Sequence, residues 1–262
     1  MYAFDVTRPK TVAEAVEALG AEEAQALGGG QTLIPTLKQR LASPSVLVSL
    51  ASIDEIKGVC ADGDTLTIGG GTTHATVAQE AAATYPALAA LAANIGDPAV
   101  RNRGTIGGSL ANNDPSACYP SAALASNATI VTNTREIAAD DYFQGLFTTA
   151  LEPGEIITGV KFPVPQAANY QKFVQPASRF SLVGVFVAKY ADGVRVAVTG
   201  ASEGGVFRWT EAEAALSADF SPAALDGLTA SADGLINDLH GDAEYRAHLI
   251  KVMTKRAVAA AN

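Results

Sequence analysis

The stretches Gly28-Gly29-Gly30-Gln31-Thr32-Leu33-Ile34-Pro35 and Thr105-Ile106-Gly107-Gly108-Ser109-Leu110 decide how this sequence folds. Each is rich in glycine and follows an apolar or extended segment. Because glycine has no Cβ, such a loop brings backbone N–H groups close to a ligand. In an acidic protein with few candidate catalytic side chains, the two loops predict a bound cofactor that carries phosphate.

Composition limits the classes of partner. The 262 residues include 18 basic and 27 acidic side chains, which gives a net charge of −9. Nucleic acids and anionic membranes require a basic surface, so neither is an expected partner. A diphosphate is expected to be held by backbone dipoles rather than by a lysine and arginine cluster. With 48% hydrophobic and 17% charged residues, the chain is typical of a globular protein of two or three subdomains.

Metal-binding patterns and membrane signals are missing from the sequence. Cys60 and Cys118 form no C-x-x-C pair, and His74, His240 and His248 are scattered. We therefore expect no iron–sulfur cluster, zinc site or other metal site in this chain. No apolar run is long enough for a membrane span, and the first residues do not resemble a signal peptide. The expectation is a cytoplasmic protein.

Hydrophobic periodicity predicts a small α/β unit followed by two larger regions. In the first unit, Thr11 is expected to cap a helix that ends at Leu19, and Pro35 falls in the first turn of a second helix. Apolar alternation around Ala191-Asp192-Gly193 predicts a β-hairpin. Further strands are predicted at 25–27, 47–50, 65–68 and 128–131, and further helices at 76–83, 87–93, 120–125, 210–216, 223–231 and 243–260. The predicted domains span 1–57, 58–170 and 171–262.

A short repeat precedes the second loop. The tetrapeptide Thr-Ile-Gly-Gly occurs at 67–70 and again at 105–108. Only the flanking residues indicate which copy meets a ligand. Thr72 and Thr73 follow the first copy and are well placed to cap the next helix, so we interpret the first copy as structural.

Neither glycine stretch matches a standard nucleotide-binding motif. The first begins as G-x-G but lacks the third small residue of the dinucleotide fingerprint, and no lysine follows a glycine cluster at the P-loop spacing. The sequence therefore disfavours a Rossmann domain and a P-loop ATPase. Taken singly, each stretch is equally well explained as a tight structural turn.

Together with their flanks, the two stretches resemble the FAD-binding medium subunit of molybdenum hydroxylases, the family of xanthine dehydrogenase and aerobic carbon monoxide dehydrogenase. The second stretch is preceded by Arg101-Asn102-Arg103-Gly104 and followed by Ala111-Asn112-Asn113-Asp114-Pro115. The resemblance continues at 152–157, 172–173, 176–179 and 243–249, so it covers essentially the whole chain. It implies an α+β fold of the vanillyl-alcohol-oxidase (PCMH) type with a C-terminal α+β domain.

The resemblance also implies a cofactor site without catalytic side chains or metal ligands in this chain. FAD would lie extended between the first two subdomains, with its diphosphate held by both glycine stretches. The residues that the resemblance assigns to the cofactor are Gly28, Gly29, Gly30, Gln31, Thr32, Leu33, Ile34, Pro35, Ile95, Thr105, Ile106, Gly107, Gly108, Ser109, Asp114, Cys118, Ile157 (or its neighbour Ile156) and Lys172. For Ile95, Ile157 and Lys172, a plain core or surface role is the alternative.

Cys118 is the one clear departure from the family pattern. Many relatives have an aspartate at this position, and in the family that aspartate contacts FAD. A thiol is a poor substitute for an anionic acceptor. Three alternatives stay open: Cys118 lines the site in a different role, the group that the aspartate would contact is met by Asp114 or by water, or Cys118 fills apolar space. Tyr142, Tyr170 and Tyr190 are interpreted as packing residues rather than as partners of the flavin.

The resemblance implies a role in electron transfer. A small partner subunit would carry two [2Fe–2S] clusters, and a large partner subunit would carry the molybdopterin cofactor. Electrons would pass from the clusters to FAD and then to an external acceptor, in an assembly expected to be a dimer of heterotrimers. Two alternatives stay open: a free-standing flavin reductase of the same fold, and an assembly scaffold that has lost its flavin.

Overall fold

The computed structural model describes residues 1–261, which form three larger sheets in chain order and one two-stranded sheet, β8-β9, within the middle unit. The first sheet is parallel, with the strand order β1-β3-β2. Its unit consists of β1 (Asp5–Thr7), α1 (Val12–Leu19), β2 (Ala24–Leu27), α2 (Leu33–Lys38) and β3 (Val46–Ser49). As predicted, the Thr11 hydroxyl caps α1, where it accepts a hydrogen bond from the N–H of Glu14 at 3.2 Å. The small core of this unit also takes in Ile156 from the next unit.

The middle unit surrounds a five-stranded antiparallel sheet of order β4-β5-β10-β6-β7. Its elements are β4 (Val59–Asp62), β5 (Thr65–Gly69), α3 (His74–Glu80), α4 (Pro86–Ala93), α5 (Pro98–Arg101), α6 (Ile106–Asn112), α7 (Tyr119–Ala125), β6 (Thr129–Thr132), β7 (Glu136–Ala138), α8 (Ala139–Tyr142), β8 (Phe143–Gly145), β9 (Thr148–Thr149) and β10 (Ile157–Pro163). Alanine-rich α4 and α7 are buried on most sides, because small side chains allow close packing between helix and sheet.

The third unit is a four-stranded antiparallel sheet, β11-β12-β13-β14, covered on both faces. It comprises β11 (Ala167–Val174), β12 (Ser181–Tyr190), β13 (Gly193–Thr199), β14 (Phe207–Arg208), α9 (Thr210–Ala218) and α10 (Ala243–Ala260). Along β12, Phe186 and Ala188 face the core of the middle unit, whereas Val185 and Val187 face α9 and α10. This alternation is the period of two that a strand imposes on its side chains. The predicted hairpin around Gly193 is confirmed.

One predicted helix is wrong. The segment 223–231 forms only a short 3-10 turn, Pro222–Leu225. The turn is followed by Asp226 and Gly227, and glycine ends helical structure because it retains more backbone freedom in the unfolded chain. Alanine is a strong helix former, but intrinsic propensity yields to tertiary packing, and Leu225 and Ala230 are buried against α10. The three predicted domain ranges remain a prediction.

Candidate functional site

A cleft of about 1130 Å³ opens between the first and middle units and extends to the third. Both glycine stretches line it, together with Gly70 and Gly71 from the end of β5 and Lys172 and Arg179 from the third unit. The volume lies above the roughly 300–1,000 Å³ of most small-ligand sites, so the cleft suits a long ligand. Within residues 1–261, no cluster of three His, Cys, Asp or Glu side chains is arranged to hold a metal ion.

The walls of the cleft meet through glycines that touch neighbouring backbone. A Cβ added to Gly29 would lie 2.0 Å from the carbonyl oxygen of Arg103. A Cβ on Gly70 would lie 2.0 Å from the carbonyl oxygen of Ile157, and one on Gly107 would lie 2.6 Å from that of Gly70. Because real Cβ atoms do not approach oxygen so closely, only glycine permits these contacts. They bring segments far apart in sequence into one continuous wall.

The first glycine stretch presents backbone donors that the protein does not use. Among the described residues, no oxygen accepts a hydrogen bond from the amides of Gly29, Gly30, Gln31 or Thr32. Gly30 has φ +73°, in the left-handed region, and this turns the loop between β2 and α2. Successive unpaired N–H groups form a concavity that attracts anions. This stretch therefore offers the donors that a diphosphate needs.

The second glycine stretch uses its amides to build the fold. The N–H of Gly107 donates to the carbonyl oxygen of Gly70 at 2.9 Å, and the N–H of Gly108 donates to the Thr105 hydroxyl at 3.1 Å. Thr105 thereby caps α6. Gly108 is exposed and Ser109 half-buried at the cleft surface. This side of the cleft therefore offers close approach and a hydroxyl group rather than a row of free amides.

The structure brings most of the predicted site residues to the lining of the cleft and leaves three away from it. Those that line the cleft are Gly28, Gly29, Gly30, Gln31, Thr32, Leu33, Ile95, Thr105, Gly107, Gly108, Ser109, Asp114, Cys118, Ile157 and Lys172. Ile106 is fully buried in the core under α6, and Ile34 packs back against Gly30. Pro35 lies in α2 and is exposed away from the cleft lining. Contact of the lining residues with a cofactor remains a prediction.

Lys172 and Cys118 meet at the end of the cleft that the third unit closes. Lys172 Nζ donates to the carbonyl oxygens of Asn94 at 2.6 Å and Arg179 at 2.9 Å, and it lies 3.7 Å from Cys118 Sγ. Cys118 is buried, and its sulfur lies 3.5 Å from the Ser181 hydroxyl. Ser181 in turn contacts the Tyr170 hydroxyl at 2.9 Å. Burial raises the pKa of Tyr170 well above its usual value, which supports its interpretation as a neutral packing residue.

Sequence reasoning missed His74, which lines the cleft behind Gly104. Its side chain is 5% exposed, its Nδ1 has no partner among the described residues, and its ring lies 5.3 Å from that of Tyr119. Burial, aided by the positive charge of Arg101, lowers the pKa of His74 to about 4. A Cβ on Gly104 would lie 2.5 Å from His74 Nε2. The sequence offered one signal that His74 lies at the site, namely that it follows closely after the first Thr-Ile-Gly-Gly copy.

Glu155 is a second lining residue that the sequence did not single out. Its carboxylate accepts from Arg135 Nε and Nη2, both at 2.9 Å, from the Thr132 and Thr134 hydroxyls, and from the N–H of Glu152 at 2.7 Å. The Arg135 guanidinium holds the pKa of this carboxyl well below its usual range. Glu155 therefore ties together the loops before β10, from which Ile156 and Ile157 reach the cleft.

Comparison with known proteins places these features in context. Residues 2–165 match the family described as the FAD binding domain in molybdopterin dehydrogenase. The chain is 33% identical to the carbon monoxide dehydrogenase medium chain of Afipia carboxidovorans, covering 97% of this chain and 95% of that one. It is 35% identical to the nicotine 6-hydroxylase medium subunit of Paenarthrobacter nicotinovorans, covering 95% and 94%.

A solved structure shows the same fold. Carbon monoxide dehydrogenase from Hydrogenophaga pseudoflava, in a form that lacks the Mo-pyranopterin moiety, contains a chain that superposes with a TM-score of 0.88 at 32% identity. The superposition covers 99% of this chain and 97% of that one. This similarity confirms the α+β architecture that the sequence predicted.

Proposed function

The chain belongs to the family of FAD-binding domains of molybdopterin dehydrogenases, and on this premise we propose that it is the electron-transfer subunit of a heteromeric molybdenum hydroxylase. A small partner would supply electrons from two [2Fe–2S] clusters, and a large partner would hold the molybdopterin cofactor. The medium-chain relatives, which imply larger and smaller companions, support this assignment. A dimer of heterotrimers in the cytoplasm completes the proposal.

The observation that carries the proposal is the run of unpaired amides from Gly29 to Thr32 beside the exposed Gly108. The chain has a net charge of −9, so its overall electrostatic field does not attract an anion to this cleft. Aligned N–H groups offer local positive potential without a basic cluster. They suit a diphosphate between two larger groups, which is the chemistry of FAD.

Each part of the cleft has a separable task in this proposal. The amides of Gly29 to Thr32 bind the diphosphate, and the Ser109 hydroxyl adds a donor from the opposite wall. Ile95 and Ile157 exclude water from the planar ring systems. FAD supplies the redox chemistry when it is bound, and the protein supplies position and electrostatics. His74, neutral at physiological pH and enclosed behind Gly104, packs the wall rather than exchanging protons with a ligand.

The test is the cofactor content of the complex purified with its native partner subunits. We expect one FAD per chain. We also expect the flavin to be reduced when the complex is given the substrate that the molybdopterin subunit oxidises. Gly29→Ala should lose FAD, because its Cβ would overlap the carbonyl group of Arg103. Gly227→Ala is the matched control, since nothing lies within 4 Å of a Cβ there.

Two outcomes would contradict the proposal. A chain purified without flavin, and unable to bind added FAD, would indicate an assembly scaffold. A chain that purifies alone, holds FAD and turns over its own substrate would indicate a free-standing reductase of the same fold.

A further inference from the structure

The charge of Lys172 lacks a nearby negative partner. The ammonium group has three hydrogens to donate, and its three neighbours are the carbonyl oxygens of Asn94 and Arg179 and the sulfur of Cys118. Among residues 1–261, no carboxylate oxygen lies within 4.0 Å of Lys172 Nζ. Lys172 is half-buried, so water screens its charge less than it would at the surface.

This arrangement is held in place by the fold. Lys172 projects from β11 and donates to the backbone carbonyl oxygen of Asn94, the C-cap residue of α4. Cys118 lies just before α7 and is 6% exposed, so a replacement side chain there stays beside the ammonium group. Cys118 Sγ also lies near the Ser181 hydroxyl, which is fully buried. The charge is therefore fixed in position rather than free to move into solvent.

Lys172 and Cys118 line the same cleft as the two glycine stretches. The helix α6 starts at the second glycine stretch, and its seven residues span about 10 Å at 1.5 Å per residue. Cys118 follows a few residues after the end of this helix. A FAD whose diphosphate was held at the glycine stretches would lie in this cleft and would have one of its two ring systems beside Lys172 and Cys118.

We propose that Lys172 stabilises the reduced form of the flavin and that Cys118 leaves this positive charge uncompensated. The inference rests on the proposed function. A fixed cation is useful beside the isoalloxazine ring, because that ring gains net negative charge when it takes up two electrons and one proton. The adenine ring at the other end of FAD gains none. Reduced iron–sulfur clusters of the partner subunit supply the electrons one at a time, and solvent supplies the proton.

The experiment measures the reduction potential of the flavin in the purified complex, by equilibration with a reference dye. Cys118→Asp places a carboxylate beside Lys172. At a fixed solution potential it should lower the ratio of reduced to oxidised flavin at least tenfold, which corresponds to a flavin potential lower by about 30 mV for a two-electron couple. Lys172→Met should shift the ratio in the same direction. Cys118→Ser keeps the site uncharged and should stay within threefold of the unmodified complex.

The variants separate this inference from the proposed function. If Lys172→Met binds FAD with an unchanged potential, the inference is overturned, and the adenine end of FAD lies at Lys172 instead. If Cys118→Ser raises the ratio of reduced to oxidised flavin tenfold, a rise of about 30 mV in the potential, Cys118 carries the compensating charge, and the inference is overturned as well. If Cys118→Asp does not fold, the flavin potential of Lys172→Met alone tests the inference. Absence of FAD from the unmodified complex would contradict the proposed function itself.

Discussion

The amide of Gly107 donates a hydrogen bond to the carbonyl oxygen of Gly70 at 2.9 Å, so the two Thr-Ile-Gly-Gly copies are in direct contact. Thr73 and Thr105, which flank this contact, form an isolated antiparallel bridge. Ile106 N–H also donates to the Thr72 carbonyl oxygen at 3.1 Å. The first copy therefore contacts the second copy directly, and Thr73, which follows the first copy, caps α3 as the sequence indicated.

We predict that Gly107→Ala lowers both FAD retention and stability. The new Cβ would lie 2.6 Å from the Gly70 carbonyl oxygen, and backbone is forced apart at a cost of about 1–3 kcal/mol. Flavin content per chain and the Tm of the apoprotein measure the two effects. Gly227→Ala, which meets nothing within 4 Å, should behave as the unmodified chain. Full flavin content in Gly107→Ala would mean that the two copies do not need their contact.

We predict that His74 makes the fold sensitive to mild acid. Its pKa falls from the ordinary 6.5 to about 4, so between these values the unfolded chain binds a proton that the folded chain does not. Stability is therefore complete above pH 6.5 and decreases by about 3 kcal/mol as pH falls to 4. Denaturant unfolding across this range should show the slope.

The slope should become shallower in His74→Gln, whatever the effect of that substitution on stability at neutral pH. His248→Gln is the control, because His248 is exposed on α10. An equal slope in His74→Gln and the unmodified chain would rule out His74 as its source.

We predict that Glu155→Gln destabilises the loops before β10. The carboxylate is almost fully buried and accepts from Arg135, two threonines and a backbone amide, so loss of its charge should cost about 2 kcal/mol. Because Arg135 lowers the pKa of Glu155, the stabilisation is present above the ordinary pKa of 4.5 and is lost as pH falls below it. Urea unfolding at pH 7 measures the difference.

Glu152→Gln serves as the comparison for Glu155. Its side chain is 73% exposed and its carboxylate lies 3.5 Å from Arg135, so an exposed ion pair of this kind contributes little. We expect Glu152→Gln to unfold at the same urea concentration as the unmodified chain. Equal effects of the two substitutions would show that Glu155 is not the centre of this network.

We predict that Asn113 fastens the hairpin of β8 and β9. Its Nδ2 donates to the carbonyl oxygens of Gly145 at 2.8 Å and Thr148 at 2.9 Å, and its own backbone has φ +43°. Asn113→Gly loses the two bonds, about 2 kcal/mol, and Asn113→Ala adds about 1 kcal/mol of backbone strain. Hydrogen exchange at residues 143–149 should accelerate in both variants. Exchange unchanged in both would show that the hairpin is held by other contacts.

Local patterns in the sequence predicted features that depend on neighbouring residues, whereas individual contacts between distant residues were not predicted. The Thr11 cap and the Gly193 hairpin involve residues a few positions apart, and both are confirmed. By contrast, Gly70 meets Gly107, and Lys172 meets Cys118, only because packed units bring them together. The burial of His74 also depends on a residue distant in sequence, because the missing Cβ of Gly104 leaves room for the imidazole ring. The helix predicted at 223–231 failed because local alanine propensity is weak against tertiary anchoring.

The strand β12 is buried on both faces, so the end of the region that matches the family is not the end of the middle unit's core. The region matched by the family ends at residue 165, yet the core of the middle unit includes Tyr170, Phe186 and Ala197 from beyond it. During synthesis, a partial chain of only the first 165 residues would expose the apolar face that Tyr170, Phe186 and Ala197 cover in the complete fold. A chain cut at that boundary would separate side chains that share one core, so residues 1–165 are expected to be stable only together with the rest of the chain.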